Sequence, residues 1–506
     1  MGAIVTTKSG RIEGGTENGV HVFRGIPYAA PTDGPNRFKA PQPVAAWDGT
    51  RDGTKNGLIS HQPPLPPPFG QPLPPAGDDC LNLTVWTPDP GTTNLPVFVW
   101  IHGGAFFGGS SIEPVYNGSS FARNGVVCVT INYRLGAQGF WNLAELFPEF
   151  PDSGNLGLLD QIAALKWVQD NIAAFGGDPS RVTIAGESAG GMSVGSLLAS
   201  PKAKGLFRQA IPQSGAGHNG ISAPTTTKIA KNLLDRVGVK PGDSAALAKL
   251  DPLVLLAAQV EMTTEIQTLR DPNVFGEAAV ASMALQPTYF TDVLPQRPID
   301  AITAGSAAGV PTLVGTTLEE SLVFVVAMAE MFSDELVNGM AVATFGDAQK
   351  AENALKMYRG HRPDAPPHAI SAAFDTDRMF TVPAIRLAEA QLAHTKDVWS
   401  YRFDWRSPLL GGALGACHAL ELAFVFNTIS DPNAAFLAGP DAPQGVADSV
   451  HQAWVSFVKT GNPHHAGLPA WSRYDTGNRT TMLFDTKCSA VSNPRSEELS
   501  LWDGII

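Results

Sequence analysis

The pattern Gly-x-Ser-x-Gly occurs twice in succession in this chain of 506 residues, at 186–190 and at 191–195. A serine in this pattern is a nucleophile where a strand turns sharply into a helix, because that turn exposes the hydroxyl oxygen and is crowded enough to need small neighbours. The first copy follows the predicted strand 181–185, whereas the second continues into the helical sequence Ser-Leu-Leu-Ala. The spacing therefore predicts Ser188, and not Ser193, as the candidate nucleophile.

A serine hydroxyl becomes nucleophilic when a histidine removes its proton and an acid orients that histidine. In this strand–turn–helix context the chain order is serine, acid, histidine, so the base is expected after Ser188. Eight of the eleven histidines follow it. Among them, His418 comes after a predicted strand over 398–405 and a loop, directly before the apolar run 420–426. Because open α/β sheets place their sites at the carboxyl ends of strands, this position favours His418 as the base.

The acid and the groups that stabilise an oxyanion are expected at the ends of two other predicted strands. Glu319 and Glu320 follow the apolar run 311–314 after Gly-Thr-Thr, and the residues alone do not choose between them. The tetrapeptide 102–105, His-Gly-Gly-Ala, follows the apolar run 97–101. It matches the loop that offers backbone N–H groups to the developing negative charge in acyl transfer.

A competing pattern, Gly-x-Gly-x-x-Gly, lies at 215–220. A dinucleotide site needs a helix that opens on this turn and an acidic residue at the end of the next strand. Here Ile-Ser-Ala-Pro at 221–224 interrupts, and Asp235 falls within the following predicted helix. The chain also contains no HExxH sequence, no Walker loop and no carboxylate cluster with metal-ligand spacing. We therefore predict neither a cofactor nor a metal.

The composition excludes several classes of protein. Charged residues make up 16% and hydrophobic residues 43%, which is typical of a large globular body and not of a disordered chain. The net charge is −12 and no basic run is available to bind a phosphate backbone, so we expect no nucleic-acid partner. No uncharged apolar run reaches about 18 residues, so no membrane partner is expected. Four scattered cysteines and no signal-peptide pattern predict a cytoplasmic protein, and the oligomeric state stays open.

The order of apolar segments predicts an α/β fold. Short, continuously apolar runs at 97–101, 126–131 and 182–185 are typical of parallel strands that are buried on both faces by helices. Two segments, about 219–300 and about 322–395, show helical patterns without buried strands between them. We interpret them as helical insertions that cap one end of the sheet. The segment 61–75 holds eight prolines and predicts a semi-rigid surface loop.

Longer motifs resemble the type B carboxylesterase family of α/β-hydrolases. They are Asn-Leu-Gly-Leu-Leu-Asp-Gln at 155–161, Phe-Gly-Gly-Asp-Pro at 175–179 and Val-Thr-Ile-Ala-Gly-Glu-Ser-Ala-Gly-Gly at 182–191. Shorter matches extend the resemblance along nearly the whole chain: Phe-Arg-Gly-Ile-Pro-Tyr-Ala at 23–29, Asp-Cys-Leu-Asn at 79–82, Asn-Tyr-Arg at 132–134, Gln-Ser-Gly at 213–215 and Thr-Gly-Asn-Pro at 460–463. The resemblance implies one α/β-hydrolase domain over 1–506, with a mostly parallel central sheet flanked by helices.

The resemblance also implies roles for individual residues. It makes Ser188 the nucleophile, selects Glu320 over Glu319 as the acid, and matches His418 to the family's histidine before an acidic and apolar run. The remaining matched positions support these three. They are the oxyanion-hole positions Gly103, Gly104 and Ala189, and the polar positions near the triad, Glu187 and Ser214.

One departure concerns cysteine pairing. The family often pairs the cysteine of its Asp-Cys-Leu-x-Asn motif with one some twenty residues earlier, but Ser60 stands at that place here, so Cys80 has no such partner. The expected activity is that of a serine carboxylic-ester hydrolase that forms an acyl-enzyme with small to medium esters. An amidase or carbamate hydrolase with the same triad remains an alternative, as does a non-catalytic binding module of the same fold.

Overall fold

The computed structural model describes residues 2–64, 73–269, 271–281 and 283–506. Most of the proline-rich segment 61–75 therefore lies outside the described residues. The contacts divide the chain into two compact units, one of residues 1–211 and 217–310 and the other of residues 212–216 and 311–506. The interpretation of 1–506 as one domain stays a prediction.

The first unit contains the strands nearest the N-terminus. They are β1 Ile4–Thr6, β2 Arg11–Glu13, β3 Gly15–Glu17, β4 Val20–Pro27, β5 Thr50–Asp52, β6 Asn82–Thr87, β7 Leu95–Ile101, β8 Val127–Ile131, β9 Gly177–Glu187, β10 Gln209–Gln213 (which ends in the second unit), β11 Ile221–Ser222 and β12 Thr288–Tyr289. β7 pairs in parallel with β8 and β9, and β6, β4 and β3 continue from β8 in antiparallel pairing. Every residue of β6 and β8 is buried, which explains why the β8 sequence is apolar without alternation.

The described residues of the first unit also form helices. They are α1 Ser119–Arg123, α2 Gly136–Phe140, α3 Leu156–Asn171, α4 Ala189–Ala199, α5 Ala223–Val237, α6 Ser244–Lys249, α7 Pro252–Leu269, α8 Pro272–Phe275, α9 Ala278–Ala281 and α10 Pro298–Thr303. After α3 a 3₁₀ turn, Ile172–Phe175, ends at Gly176 with a φ of 86°, the left-handed conformation that glycine adopts freely. α5 to α10 lie in the segment interpreted as a helical insertion. The same segment also contains β11 and β12, which pair in parallel. The sequence did not predict them, because a strand of two residues is too short to show a pattern.

The second unit contains further strands of the 11-stranded sheet and a further set of helices. Its strands are β13 Thr312–Thr317, β14 Val398–Phe403, β15 Thr481–Phe484 and β16 Ser489–Val491, and its helices are α11 Leu322–Val325, α12 Asp334–Phe345, α13 Ala348–Gly360, α14 Pro367–Thr376, α15 Val382–Leu392, α16 Leu422–Val425, α17 Gln444–Thr460 and α18 Ser496–Ser500. β13, β14 and β15 are parallel neighbours, and β16 adds an antiparallel edge. α14 and α15 are joined by one π-helical turn, Asp377–Thr381. Tyr358, Phe374 and Trp502 belong to a buried core that α12 to α14 share with the C-terminal segment.

In the described part of the chain, no helix has the length and apolarity needed to cross a membrane.

Candidate active site

Ser188 lies where β9 meets α4, as the sequence predicts. Its φ of 57° and ψ of −126° place a non-glycine residue in a strained conformation, which is a feature of tight functional turns. The two flanking glycines are required by space. A Cβ at Gly186 would stand 2.5 Å from the carbonyl carbon of Gly190, and a Cβ at Gly190 would stand 2.0 Å from the Ile101 oxygen. By contrast, Ser193 of the second copy lies inside α4, where its Oγ accepts a hydrogen bond from Gln161.

The glycine loop after β7 adjoins this turn. A Cβ at Gly103 would stand 3.0 Å from the Ser188 Cβ, so the loop and the nucleophile turn are in direct contact. Gly104 has a φ of 106°, and its carbonyl closes the loop by accepting the N–H groups of Phe107 and Gly108. Among the backbone hydrogen bonds of the described residues outside helices and strands, none has the N–H of Gly103 or Gly104 as its donor. Ala189 is the first residue of α4, directly after Ser188.

Two further polar groups hold the start of this loop. The carbonyl of His102 accepts a hydrogen bond from the Tyr133 hydroxyl at 2.9 Å, and the two rings stack with their centroids 4.5 Å apart. Burial lowers the pKa of His102 to about 4, and its hydrogen bond with the Gly103 carbonyl offsets this only in part. The ring is therefore neutral at pH 7, and its Nδ1–H donates to Gly103. Glu187 is buried against the same loop, with Oε2 3.1 Å from where a Cβ of Gly103 would lie.

In the second unit, His418 and Glu320 form a buried pair. His418 Nδ1 lies 2.6 Å from Glu320 Oε2, and the Glu320 side chain is fully buried. The other carboxylate oxygen, Oε1, accepts the Ser214 hydroxyl at 2.6 Å and the Thr317 N–H at 2.7 Å. Both oxygens are thus engaged, so the carboxylate cannot turn away from the imidazole.

The structure also distinguishes the two adjacent glutamates. The Glu319 carboxylate accepts the Ala416 N–H at 3.0 Å and forms an ion pair with Arg406. Its backbone N–H donates to the Ala416 carbonyl at 2.9 Å. Glu319 therefore secures the loop that precedes His418, whereas Glu320 binds the imidazole itself.

Two phenylalanines pack on the His418 ring. The Phe380 ring centroid is 4.8 Å from that of His418 and the Phe324 centroid is 5.3 Å away. Phe380 belongs to the π-helical turn, and the residue before that turn, Thr376, accepts the N–H of Ser321 at 3.1 Å. The turn therefore supports both the histidine and the chain next to Glu320.

The predicted site residues fall into two groups. Glu320, His418 and Ser214 meet in the second unit, and the other five, Ser188, Ala189, Gly103, Gly104 and Glu187, lie close together in the first. Sequence reasoning missed Phe380 and Tyr133. A tyrosine or phenylalanine in a buried segment carries no signal that separates a supporting role from ordinary packing. Across the described ranges, no group of three or more His, Cys, Asp or Glu side chains could hold a metal ion.

Comparisons with known proteins agree with this architecture. The profile described as the Carboxylesterase family matches residues 2–502. The para-nitrobenzyl esterase of Bacillus subtilis (strain 168) is 39% identical over 503 residues, covering 98% of this chain and 97% of that protein. The phenmedipham hydrolase of Pseudarthrobacter oxydans is 35% identical over 504 residues, covering 97% and 96%. The crystal structure of a Geobacillus stearothermophilus carboxylesterase covers 99% of both chains with a TM-score of 0.87 and 37% identity.

These similarities confirm the predicted α/β-hydrolase fold, in which a mostly parallel sheet is flanked by helices, and the predicted ester-hydrolysing class. They extend over nearly the whole chain, so they do not rest on the Gly-x-Ser-x-Gly motif alone. The chain belongs to the carboxylesterase family, and it is an enzyme that hydrolyses carboxylic esters.

Proposed function

We propose that this esterase acts by two-step acyl transfer with Ser188 as the nucleophile and His418 as the base. In the first step Ser188 Oγ attacks the ester carbonyl carbon, and His418 Nε2 takes the hydroxyl proton. The tetrahedral intermediate then collapses, the carbon–oxygen bond to the alcohol breaks, and His418 gives its proton to the departing alcohol. In the second step water attacks the acyl-enzyme with the same base, which releases the carboxylic acid and restores Ser188.

The remaining residues stabilise the charges that form during these steps. Gly103, Gly104 and Ala189 are the proposed oxyanion donors, and each such donor is worth about 10²–10³ in rate. Glu320 keeps His418 in the tautomer with the proton on Nδ1 and stabilises the imidazolium. Ser214 holds Glu320, and Glu187 borders the oxyanion loop. No cofactor or metal takes part in this scheme.

The single observation that carries the proposal is the buried contact of His418 Nδ1 with Glu320 Oε2 at 2.6 Å. A histidine whose Nδ1–H is bound by a carboxylate presents Nε2 as an acceptor, which is the tautomer a general base needs. The strained turn at Ser188 supports the same assignment independently, because strain is retained where it serves a function.

The substrates we propose are small to medium carboxylic esters. The relatives named as para-nitrobenzyl esterase and carboxylesterase support this class. We also infer a reducing, cytoplasmic location, which the free thiols of all four cysteines support.

The duplicated motif provides a matched test of the nucleophile. Ser188→Ala and Ser193→Ala remove the same hydroxyl from the same pentapeptide pattern. We expect Ser188→Ala to lose p-nitrophenyl ester hydrolysis and labelling by an organophosphate, while Ser193→Ala keeps both. Hydrolysis and labelling at the wild-type rate in Ser188→Ala would refute the assignment.

A second experiment compares leaving groups. Among matched ester, amide and carbamate substrates, we expect the ester to be hydrolysed fastest. An alcohol is a better leaving group than an amine and depends least on protonation by His418. A faster rate on the amide or the carbamate would replace the proposed substrate class and leave the triad assignment intact.

A further inference from the structure

Gln62 is a buried side chain of the first unit that binds both backbone groups of one distant residue. Its Nε2 donates to the Gly109 carbonyl at 2.9 Å, and its Oε1 accepts the Gly109 N–H at 2.7 Å. The two hydrogen bonds span 47 residues of sequence. A side-chain amide that satisfies an N–H and a C=O together fixes the rotation of that residue as well as its position.

Gly109 in turn lies against the oxyanion loop. Its φ is 97°, and a Cβ on it would stand 2.5 Å from the Gly103 carbonyl oxygen and 2.7 Å from His102 Nδ1. The Gly109 backbone therefore occupies the space behind the Gly103 carbonyl and leaves no room for that oxygen to swing towards it. His102 Nδ1 binds the same oxygen at 2.8 Å.

The Gly103 carbonyl belongs to the same planar peptide group as the Gly104 N–H. Because a trans peptide is rigid, the direction of the carbonyl sets the direction of the N–H, which points the opposite way. Whatever confines the Gly103 oxygen thus also aims the Gly104 N–H. That group is one of the proposed oxyanion donors, and a donor stabilises an oxyanion only when it is oriented before the charge develops.

We propose that Gln62 is a positioning residue for the oxyanion hole, acting through Gly109 on the peptide between Gly103 and Gly104. This inference rests on the proposed function, since it assigns a purpose to the Gly104 N–H. It also gives a function to the start of the proline-rich segment 61–75, because Gln62 stands immediately before Pro63. The amide acts on the transition state and not on the bound ester, so its loss lowers kcat and leaves KM nearly unchanged.

Gln62→Leu tests the inference, with Gln169→Leu as its matched control. Gln169 lies in the same unit, and its Nε2 also donates two hydrogen bonds to backbone carbonyls, those of Pro179 and Leu206. We expect Gln62→Leu to lower kcat on a p-nitrophenyl ester about 10-fold to 100-fold, since a misaimed donor loses part of what a deleted donor loses. KM should change less than threefold, and Gln169→Leu should change neither value.

A trifluoromethyl ketone, which forms an oxyanion adduct, separates positioning from general loosening. Its inhibition constant should rise in Gln62→Leu by the same factor as kcat falls, while the thermal midpoints of the two leucine variants stay similar. Should Gln62→Leu fail to fold, Gln62→Met keeps the length of the side chain and removes both hydrogen bonds to Gly109, and it should show a loss in the same direction.

The inference is wrong if Gln62→Leu and Gln169→Leu have equal kcat values, or if Gln62→Leu raises KM and leaves kcat unchanged. The two proposals fail separately. If Gln62→Leu is still labelled stoichiometrically by an organophosphate while its kcat is unchanged, the positioning role is wrong and Ser188 remains the nucleophile. If labelling does not depend on Ser188 at all, the proposed function itself is wrong.

Discussion

The carboxylates of Glu319 and Glu320 are neighbours in the chain, yet they bind different parts of the loop that carries His418. Glu320 lies 2.6 Å from the imidazole nitrogen, and Glu319 accepts the N–H of Ala416 two residues earlier. The backbone repeats the arrangement, because the His418 N–H donates to the Glu320 carbonyl at 3.1 Å. Glu320 thus stabilises the imidazole electrostatically, whereas Glu319 holds the loop that precedes it.

Substituting each glutamate by glutamine should distinguish these two roles. Glu320→Gln should lower kcat on a p-nitrophenyl ester by about 10³–10⁴, since a neutral amide cannot stabilise the imidazolium and can favour the wrong tautomer. Glu319→Gln keeps an oxygen for the Ala416 N–H and loses only the ion pair with the exposed Arg406, so we expect less than about a tenfold effect. Equal losses in both variants would show that the loop, and not the carboxylate on His418, limits the rate.

A pair of glycine substitutions tests the geometry of the nucleophile turn. Gly190→Ala would place a Cβ 2.0 Å from the carbonyl oxygen of Ile101. This oxygen belongs to the buried end of β7 and cannot move away, so we expect loss of activity and of stability. Gly339→Ala in α12 meets no atom within 4 Å, and it should stabilise the protein by about 0.5–1 kcal/mol. Urea unfolding and ester hydrolysis of both variants measure this. Wild-type activity in Gly190→Ala would contradict the described turn.

Those parts of the fold and site that depend on local pattern were predictable. The strand before Ser188 and the place of His418 after β14 each follow from apolar runs and glycines within a few residues. The choice between Glu319 and Glu320 was not, because it depends on which side-chain rotamer reaches the imidazole, and only the family resemblance selected it. The Gln62 contact with Gly109 crosses 47 residues, and no local periodicity encodes such a pairing.

A designed disulfide tests the surroundings of Cys80. The Ser60 hydroxyl hydrogen-bonds the buried Cys80 thiol, and burial raises the pKa of that thiol to about 12. In Ser60→Cys a disulfide with Cys80 would close a loop of about 20 residues, worth about 3 kcal/mol, less about 1 kcal/mol for the hydrogen bond that Ser60 accepts from Leu135.

Unfolding by urea with and without a reductant measures the gain, and thiol titration of the unfolded variant confirms the bond. Ser60→Ala is the control, since it loses the same hydrogen bond and cannot crosslink. A variant whose stability is indifferent to reductant would show that the two side chains do not approach closely enough.

The burial of His102 makes stability depend on pH. The pKa of this histidine is 6.5 in the unfolded chain. In the folded protein the pKa is about 4, because burial disfavours the charged ring. Between these pH values the unfolded state binds more protons than the folded state. The contribution of neutral His102 to the free energy of unfolding is therefore fully present above pH 6.5, and up to about 3 kcal/mol of it is lost as the pH falls to 4. Urea unfolding at pH 7 and pH 4.5 should therefore show a smaller difference for His102→Gln than for the wild type. Identical pH dependence of stability in both proteins would mean that the ring is not neutral in the fold.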